Sequence, residues 1–460
     1  MALRMKFFLS LVLISKTLSV YPAYAQDAVQ GNLEETAIVE VSAVPSIPAP
    51  QSIPAPKKKV LILTTSGGGG HTAATQAVRE SLEDRYEVTS LDIIGQLPLF
   101  QSGAKLFDNC FSAQNWTLMN VLLALPKIAE DVAVLHYKQK IIELITRENS
   151  DLIVSVLPTA NYVYLNEAKH LGIPMIVIPT DFTPTEFFHK IKNTGVSQDL
   201  TVILPFEEPK TLKFLNKRHL NNLSYDGYPV RSVFAEVGNK LKTGDSDLAE
   251  ELKDYSLTQF YLERDRGDKA ILLSMGAKGF GGKLIQQYAN AFLSYGHTAL
   301  SSPNAHLHLL IACGSNKELL NQITELRDLQ EKNGDSPRIH LHPFGWINGD
   351  QMAKTIAISD AVITKPGGGT VAETIAVGRF MLLLPDSTGV LRWERANLEL
   401  VVANHWGQVL NRLERNQKNV TEVMAQIKAA LEATPSVFPE NHFHEKFSLT
   451  VDTLMGNSIH

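Results

Sequence analysis

The sequence contains little cysteine: its 460 residues include only Cys110 and Cys313. The two lie far apart in the chain and in apolar surroundings, where a buried free thiol is the common outcome. We therefore expect neither a disulfide scaffold nor a cysteine-based metal site.

An excess of positive charge is also missing. The chain has 43 Lys and Arg against 48 Asp and Glu, a formal net charge of -5 at pH 7. This balance argues against the broad basic field that nucleic-acid binding requires.

Hydrophobic residues make up 44% of the chain and charged residues 20%. The chain can therefore bury a sizeable core, and it is long enough for two or three domains.

Beyond the N-terminus, no segment approaches the length of a transmembrane helix. At the N-terminus, Arg4 and Lys6 precede the apolar run Phe7–Ile14, and Ala23-Tyr24-Ala25 offers a small-x-small cleavage pattern. We interpret residues 1–25 as a secretory signal peptide, which predicts export to the periplasm or out of the cell. The alternative is an uncleaved inner-membrane anchor, with the protein facing the cytoplasm.

Residues 26–57 are predicted to be a Pro-rich linker. A direct repeat, Ser-Ile-Pro-Ala-Pro, occupies positions 46–50 and 52–56. Its prolines favour extended polyproline geometry and cannot form a core. We therefore expect a tether between the N-terminal segment and the folded part.

From Lys58 onward, apolar runs alternate with helical patterns. Val60–Leu63 is followed by glycines and a helical pattern, the opening of a βαβ unit. Apolar runs without period-two alternation, separated by helices, indicate a parallel sheet covered on both faces. The rhythm restarts at Ala270, so we predict an α/β protein with two Rossmann-like, doubly wound domains facing a central cleft. The predicted parts are an N-terminal domain at 58–232, an inter-domain segment at 233–268, a C-terminal domain at 269–435 and a tail or helix at 436–460.

The first glycine-rich motif, Thr65–His71, follows a strand and begins a helix. Its consecutive glycines let the backbone approach a ligand closely, and the unpaired amides at the helix start favour negative charge. A phosphate or a lipid headgroup fits such a loop, whereas a tight turn without a ligand is the structural alternative. The spacing matches neither a Walker loop nor the dinucleotide fingerprint. His71 lies on the first helical turn, where it can accept a proton from an acceptor hydroxyl.

The second motif, Thr364–Thr370, also lies between a strand and a helix. Its glycines and Thr370 can hold a diphosphate through backbone amides, and we place Glu373 on the first turn as a bidentate acceptor for two ribose hydroxyls. This pattern predicts a nucleotide-diphosphate site. The candidate residues are Lys365, Gly367, Gly368, Gly369, Thr370 and Glu373.

Together the two motifs resemble those of the monogalactosyldiacylglycerol synthase and diacylglycerol glucosyltransferase family, relatives of the transferase that makes lipid II. The resemblance covers roughly residues 58–411. Further segments that resemble the family are Pro179–Phe182, Phe187–His189, Asp226–Arg231, Leu272–Gly276 and Ile311–Gly314.

The resemblance implies a GT-B fold, whose last helix often packs back across the N-terminal domain. It also implies transfer of a hexose from a UDP-sugar to a diacylglycerol-type lipid, with inversion at the anomeric carbon and with no metal required. His71 becomes the candidate general base, beside the acceptor-binding Gly68, Gly69 and Gly70. Asp181 is a second candidate, which either orients His71 or takes the proton itself.

The resemblance implies further donor contacts. Gly345-Trp346, after the strand Ile339–Phe344, resembles the segment that contacts uracil, and Glu394 and Asn397 resemble sugar contacts. Trp393 stands where the family has glutamine, which leaves the sugar undetermined. In the loop after Leu272–Gly276, Gly276 and Lys278 are candidate diphosphate contacts, although Lys278 is equally well explained as a solvated charge.

Residues 106–145 are rich in aromatic and aliphatic side chains, with scattered lysines. Such a stretch, including Trp116, can lie on a membrane surface and admit a lipid acceptor, whereas ordinary core helices explain its periodicity equally well. The resemblance favours the membrane surface.

Three His-x-His pairs, at 306 and 308, 340 and 342, and 442 and 444, each place two imidazoles on one face of an extended segment. Because no carboxylate or cysteine with ligand spacing joins any pair, we expect no metal site there.

Other functions remain open. Another GT-B activity, either GlcNAc transfer to a polyprenyl-linked acceptor or sugar-nucleotide epimerisation, fits the same motifs. An exported, non-catalytic protein that binds glycolipids or nucleotides fits the signal peptide better, because UDP-sugars are not expected outside the cytoplasm. The joint presence of His71, Asp181, Glu373 and Asn397 favours an enzyme.

Overall fold

A computed structural model describes residues 56–65, 69–97, 126–191, 200–253, 263–277, 279, 281–333, 338–385, 394–414, 416–433 and 437–456. The predicted signal peptide or anchor and nearly all of the Pro-rich linker lie outside these ranges. So do Gly68, Trp116 and Lys278. The elements described below belong to one unit, Lys57–His460.

The N-terminal sheet consists of short, parallel strands in the order β2-β1-β3-β4-β5-β6. Its strands are β1 (Lys59–Thr64), β2 (Glu87–Asp92), β3 (Leu152–Ser155), β4 (Met175–Val177), β5 (Leu200–Ile203) and β6 (Leu223–Ser224). Its helices are α1 (Gly69–Leu82), α2 (Pro126–Glu148), α3 (Asn161–Leu171) and α4 (Pro209–Asn216), with a 3-10 turn at Pro184–Phe188.

The C-terminal sheet repeats this architecture in the order β12-β11-β10-β7-β8-β9, again with parallel pairing. Its strands are β7 (Lys269–Ser274), β8 (Leu307–Gly314), β9 (Ile339–Gly345), β10 (Ala361–Thr364), β11 (Phe380–Leu383) and β12 (Gly407–Val409). The remaining helices are α5 (Ser232–Thr243), α6 (Ser246–Lys253), α7 (Gly282–Tyr295), α8 (Lys317–Asn333), α9 (Gly349–Ile358), α10 (Gly368–Val377), α11 (Glu394–Ala403), α12 (Gln417–Glu432) and α13 (Phe443–Leu454), with 3-10 turns at Arg264–Arg266 and Gly296–Ala299.

Each sheet is buried on both faces, which explains the apolar runs. Along β1, Leu61 and Leu63 belong to one hydrophobic cluster, while Val60 and Ile62 belong to another on the opposite face. Side chains alternate between the faces of a strand, so a strand covered on both sides must be apolar throughout. The predicted α/β fold with two doubly wound domains is confirmed.

Both glycine-rich motifs begin where the strand order of their sheet reverses. In the N-terminal sheet, β1 lies between β2 and β3, and the first motif follows β1. In the C-terminal sheet, β7 lies between β8 and β10, and the second motif follows β10. Ligands of open α/β sheets bind beyond the carboxyl ends of the strands at such reversals.

The segment after the N-terminal sheet packs on the C-terminal sheet. Phe234 and Val237 of α5 and Leu248 of α6 are buried against Leu272 of β7 and Val362 of β10. The first part of the predicted inter-domain segment therefore contributes to the C-terminal core.

The last helix packs across the N-terminal domain, as the resemblance implied. Phe443, Phe447 and Val451 of α13 are fully buried in a cluster with Val60 of β1 and Val78 of α1. Among the described helices, we find none with the length and apolar character needed to cross a membrane.

Because α13 returns from the C-terminal domain, its docking should stabilise the whole fold. We predict that Phe447→Ala lowers the free energy of unfolding by about 3–5 kcal/mol, the range for emptying a buried phenylalanine site. Leu449→Ala, in the same helix but 45% exposed, should change it by less than about 1 kcal/mol. Urea denaturation followed by circular dichroism measures both, and equal effects of the two substitutions would contradict the docking.

Candidate functional site

The two glycine-rich helix starts lie against each other. A methyl group added at Gly369, in the first turn of α10, would lie 3.3 Å from Cα of Gly70 in α1. A methyl group added at Gly69 would lie 3.1 Å from Cβ of Ala277, in the loop after β7. The predicted acceptor loop and the predicted donor loop therefore form one site, and the N-termini of α1 and α10 meet in it.

His71 is held by backbone and hydroxyl groups of its own domain. Its Nδ1 lies 2.9 Å from the carbonyl oxygen of Val156, just beyond β3, and 3.4 Å from Oγ1 of Thr180. A carbonyl oxygen only accepts, so Nδ1 carries the hydrogen and Nε2 keeps the lone pair in the neutral ring. Burial lowers the pKa of His71, although the bond to Val156 partly opposes this shift. The ring is therefore neutral at pH 7, with Nε2 as its basic atom.

Asp181 contacts the donor side of the site. Its Oδ1 accepts a hydrogen bond from Nδ2 of Asn397 at 3.1 Å, and the backbone amide of Gly368 also donates to its carboxylate. Burial raises the pKa of Asp181 to about 6, reinforced by the negative charge of Glu394 and opposed by the two hydrogen bonds and by Lys365. The partners of His71 are Val156 and Thr180, so the interpretation of Asp181 as the group that orients His71 does not match these contacts.

Asn397 joins the two domains through both the oxygen and the nitrogen of its side-chain amide. Its Oδ1 accepts from the backbone amide of Phe182 at 2.9 Å, and its Nδ2 donates to Asp181 and, at 2.8 Å, to the carbonyl of Pro366. The residue is 0% exposed. In this conformation both polar atoms of the buried Asn397 side chain already bond protein groups, so its predicted sugar contact would need this contact between the domains to open.

Gly368 has no room for a side chain. An added methyl group would lie 2.1 Å from the carbonyl oxygen of Thr180, 2.8 Å from the hydroxyl of Tyr228 and 3.1 Å from Oδ1 of Asp181. The hydroxyl of Tyr228 donates to that same Thr180 carbonyl. Glycine at this position lets the donor loop approach the Thr180-Asp181 segment.

Lys365 and Glu394 form an ion pair inside the site. The ammonium group of Lys365 contacts Oε1 of Glu394, whose side chain is 4% exposed. A Cβ at Gly367 would lie 3.4 Å from both groups. These two predicted donor residues are thus brought together, with Lys365 held beside the start of α10.

Glu373 forms an ion pair with Arg231, which ends the segment Asp226–Arg231 of the N-terminal domain. Its Oε1 lies 2.6 Å from Nη2 of Arg231, and both side chains are mostly buried. Burial raises the pKa of Glu373, and Arg231 opposes the shift. Because α10 begins at Gly368, Glu373 falls in its second turn, which corrects the expected first-turn position.

The remaining predicted donor residues are less enclosed. Trp346 follows β9 at the carboxyl edge of the sheet and is 68% exposed. Gly276, after β7, adopts φ +93° with open space around its Cα, a conformation that favours glycine. Thr370 lies in the first turn of α10 and is partly exposed.

Sequence reasoning missed several supporting groups. The Val156 carbonyl and the Thr180 hydroxyl fix His71, the Tyr228 hydroxyl binds the Thr180 carbonyl, and Arg231 pairs with Glu373. Thr180, Tyr228 and Arg231 lie inside segments that carry the resemblance, which was the available signal. Nothing in the sequence points to a backbone carbonyl.

The family model for the glycosyltransferase family 28 C-terminal domain matches residues 280–447. A processive diacylglycerol β-glucosyltransferase of Staphylococcus epidermidis is 28% identical over 72% of this chain and 76% of its own length. A probable chloroplastic monogalactosyldiacylglycerol synthase of Nicotiana tabacum is 26% identical over 86% of this chain and 69% of its own.

Among solved structures, UDP-GlcNAc 2-epimerase of Neisseria meningitidis bound to UDP-GlcNAc superposes with a TM-score of 0.50. It is 14% identical, and the match covers 87% of this chain and 100% of that one. This likeness concerns the fold, and the predicted GT-B architecture is confirmed. The chain is a glycosyltransferase, and its resemblance to the monogalactosyldiacylglycerol synthase and diacylglycerol glucosyltransferase family is confirmed.

Proposed function

We propose that the chain transfers a hexose from a UDP-sugar to a diacylglycerol-type lipid at a membrane surface, with inversion and without a catalytic metal. The observation that carries this proposal is the meeting of the two helix starts at Gly70 and Gly369, with the neutral imidazole of His71 on the acceptor side. The names of the relatives support the choice of acceptor.

In the proposed reaction, the lipid hydroxyl oxygen attacks the anomeric carbon from the face opposite UDP. The new C–O bond forms as the bond from the anomeric carbon to the diphosphate oxygen breaks, and Nε2 of His71 takes the hydroxyl proton. The departing UDP gains negative charge, which the amides and dipole at the start of α10 and the ammonium of Lys365 would stabilise. One displacement, and hence inversion, needs one base on the acceptor side.

The donor is proposed to bind the second motif and its neighbours. Backbone amides of Gly368, Gly369 and Thr370 would hold the diphosphate, and Glu373 would receive the ribose hydroxyls. The amide of Gly368 already donates to the Asp181 carboxylate. A diphosphate oxygen bound at this amide would take the place of the carboxylate oxygen of Asp181. The amide already binds one negatively charged oxygen, so it is suited to another.

The direct test incubates the full chain with a panel of UDP-sugars and with diacylglycerol liposomes, and mass spectrometry identifies the lipid products. We expect a hexosyl-diacylglycerol that forms in excess chelator as well. Hydrolysis or epimerisation of the donor with no lipid product, or no reaction, would contradict the proposed transfer. The donor that supports product formation identifies the hexose.

Replacement of the base should affect chemistry rather than donor binding. We predict that His71→Ala lowers kcat by about 10²–10⁴-fold, the usual contribution of a general base, while the Kd for UDP stays within about twofold. His170→Ala, an exposed histidine of α3, is the matched control and should leave both quantities unchanged. Wild-type turnover in the His71 variant would exclude His71 as the base.

The pH profile of the wild-type chain tests whether transfer needs an unprotonated base. The pKa of His71 lies below its usual value of 6.5, and that of Asp181 is about 6. Both groups are therefore unprotonated above pH 7, and kcat/KM should be flat there and fall as the pH drops through about 6.

In Asp181→Asn, the amide oxygen keeps an acceptor for Gly368 and Asn397, but the charge is lost. With His71 as the base, this variant should stay active at pH 7.5, and its acid limb should reflect His71 alone. Loss of transfer at every pH, in a variant that still binds UDP, would instead identify Asp181 as the base.

A further inference from the structure

A cluster of four histidines lies at the end of the C-terminal sheet opposite the donor loop. In the described structure β9 is the edge strand and β8 its neighbour, and His308 pairs in register with His340. Residues two apart on a strand face the same side. The pairs His306-x-His308 and His340-x-His342 therefore project from one face of two adjacent strands, and we call these four residues the histidine cluster.

The imidazoles of the cluster are in contact. Nδ1 of His306 lies 2.9 Å from Nε2 of His340, and Nδ1 of His308 lies 3.1 Å from Nε2 of His342. The rings of His308 and His340 stack with centroids 4.8 Å apart. His306, His308 and His340 each offer one ring nitrogen, and these three atoms lie within 4.8 Å of one another.

Three imidazoles so arranged match the ligand set of a transition-metal ion. Two come from alternate positions of one extended segment and the third from the neighbouring strand. Zinc binds histidine nitrogen at about 2.0–2.1 Å, and three histidines with a water complete a tetrahedron. Ligand nitrogens then lie about 3.3 Å apart, so small side-chain rotations suffice here. We propose that His306, His308 and His340 bind a divalent transition-metal ion of the zinc type.

A buried carboxylate lies behind the cluster. Oδ2 of Asp268 is 3.9 Å from Nε2 of His308, and the other oxygen of the Asp268 carboxylate accepts from the backbone amide of His306 at 2.8 Å. Arg266 holds the Asp268 carboxylate through two hydrogen bonds. Carboxylates behind metal-binding histidines orient the rings and increase their basicity. Asp268 would take this role if the His308 ring moved close enough for its Nε2 to donate to the carboxylate.

The histidine cluster can be reached from solvent. His306 and His340 are partly exposed, which leaves solvent a path to the ion and to its fourth ligand position.

The location makes the ion structural rather than catalytic. The cluster lies at the amino ends of β8 and β9, whereas the donor loop follows the carboxyl end of β10. Gly314, at the carboxyl end of β8, is six positions after His308, a span of about 20 Å. A bound ion would join the edge strand to its neighbour without contacting the transferred sugar, so the proposed metal-independent transfer is unaffected.

The test titrates the full chain, freed of metal with chelator, with Zn²⁺ and separately with Co²⁺. We expect one equivalent of metal per chain by elemental analysis, a visible absorption of tetrahedral Co²⁺ that Zn²⁺ abolishes, and a higher melting temperature with Zn²⁺. His340→Gln and His306→Gln should each weaken Zn²⁺ binding by about 100-fold or more, since each removes one of three protein ligands.

The matched control is His442→Gln, which alters a third His-x-His pair outside the cluster and should bind Zn²⁺ like the wild type. Absence of stoichiometric metal binding by the wild-type chain would overturn the proposal, whatever the variants do. So would undiminished binding by a folded His306→Gln chain, checked by circular dichroism, or loss of binding in the His442 variant. Lipid transfer is measured separately in chelator, so a failure of the proposed transferase activity leaves this result readable.

Discussion

The hydrogen bonds of one buried amide, the side chain of Asn397, hold the site together. It binds Phe182 and Asp181 of the N-terminal domain and Pro366 of the donor loop. Removal of any partner would leave a buried amide group unsatisfied, at a cost of about 1–3 kcal/mol. The same contact places Asp181 on the amide of Gly368 and the Thr180 carbonyl beside it, so the geometry of both glycine-rich loops depends on it.

This arrangement links the acceptor and donor sides through two consecutive residues. The Thr180 hydroxyl faces Nδ1 of His71, while Asp181 contacts Gly368 and Asn397. In the proposed reaction, a diphosphate bound at the Gly368 amide would displace the Asp181 carboxylate, and the released carboxylate would change the charge near the proposed base. Donor binding and acceptor activation would then be connected over a short distance, because both would use the same segment of the N-terminal domain.

The fold and the position of the motifs could be predicted from local sequence. Apolar runs such as Val60–Leu63 reflect burial on both faces of a sheet, and glycine runs mark the starts of helices. Contacts between the domains could not be predicted in this way. The resemblance places Asn397 at the sugar, but both polar atoms of its amide bond protein groups, and Glu373 is paired with Arg231, 142 residues away. Such pairs depend on how the two sheets face each other, which periodicity does not encode. The Val156 carbonyl that sets the His71 tautomer is beyond any side-chain pattern.

The histidine cluster is a further arrangement that depends on the strand order of a sheet. Each His-x-His pair, considered alone, lacks a further ligand at metal-binding spacing. The expectation from the sequence is therefore that these pairs bind no metal. The order β7-β8-β9 places two pairs side by side and puts Asp268, which directly precedes β7, next to His308. A buried group of imidazoles and a carboxylate is costly unless each polar atom is satisfied. The proposed metal ion would bind nitrogens from both pairs at once, and it would fasten β9, which is the edge strand of the sheet in the described part of the chain.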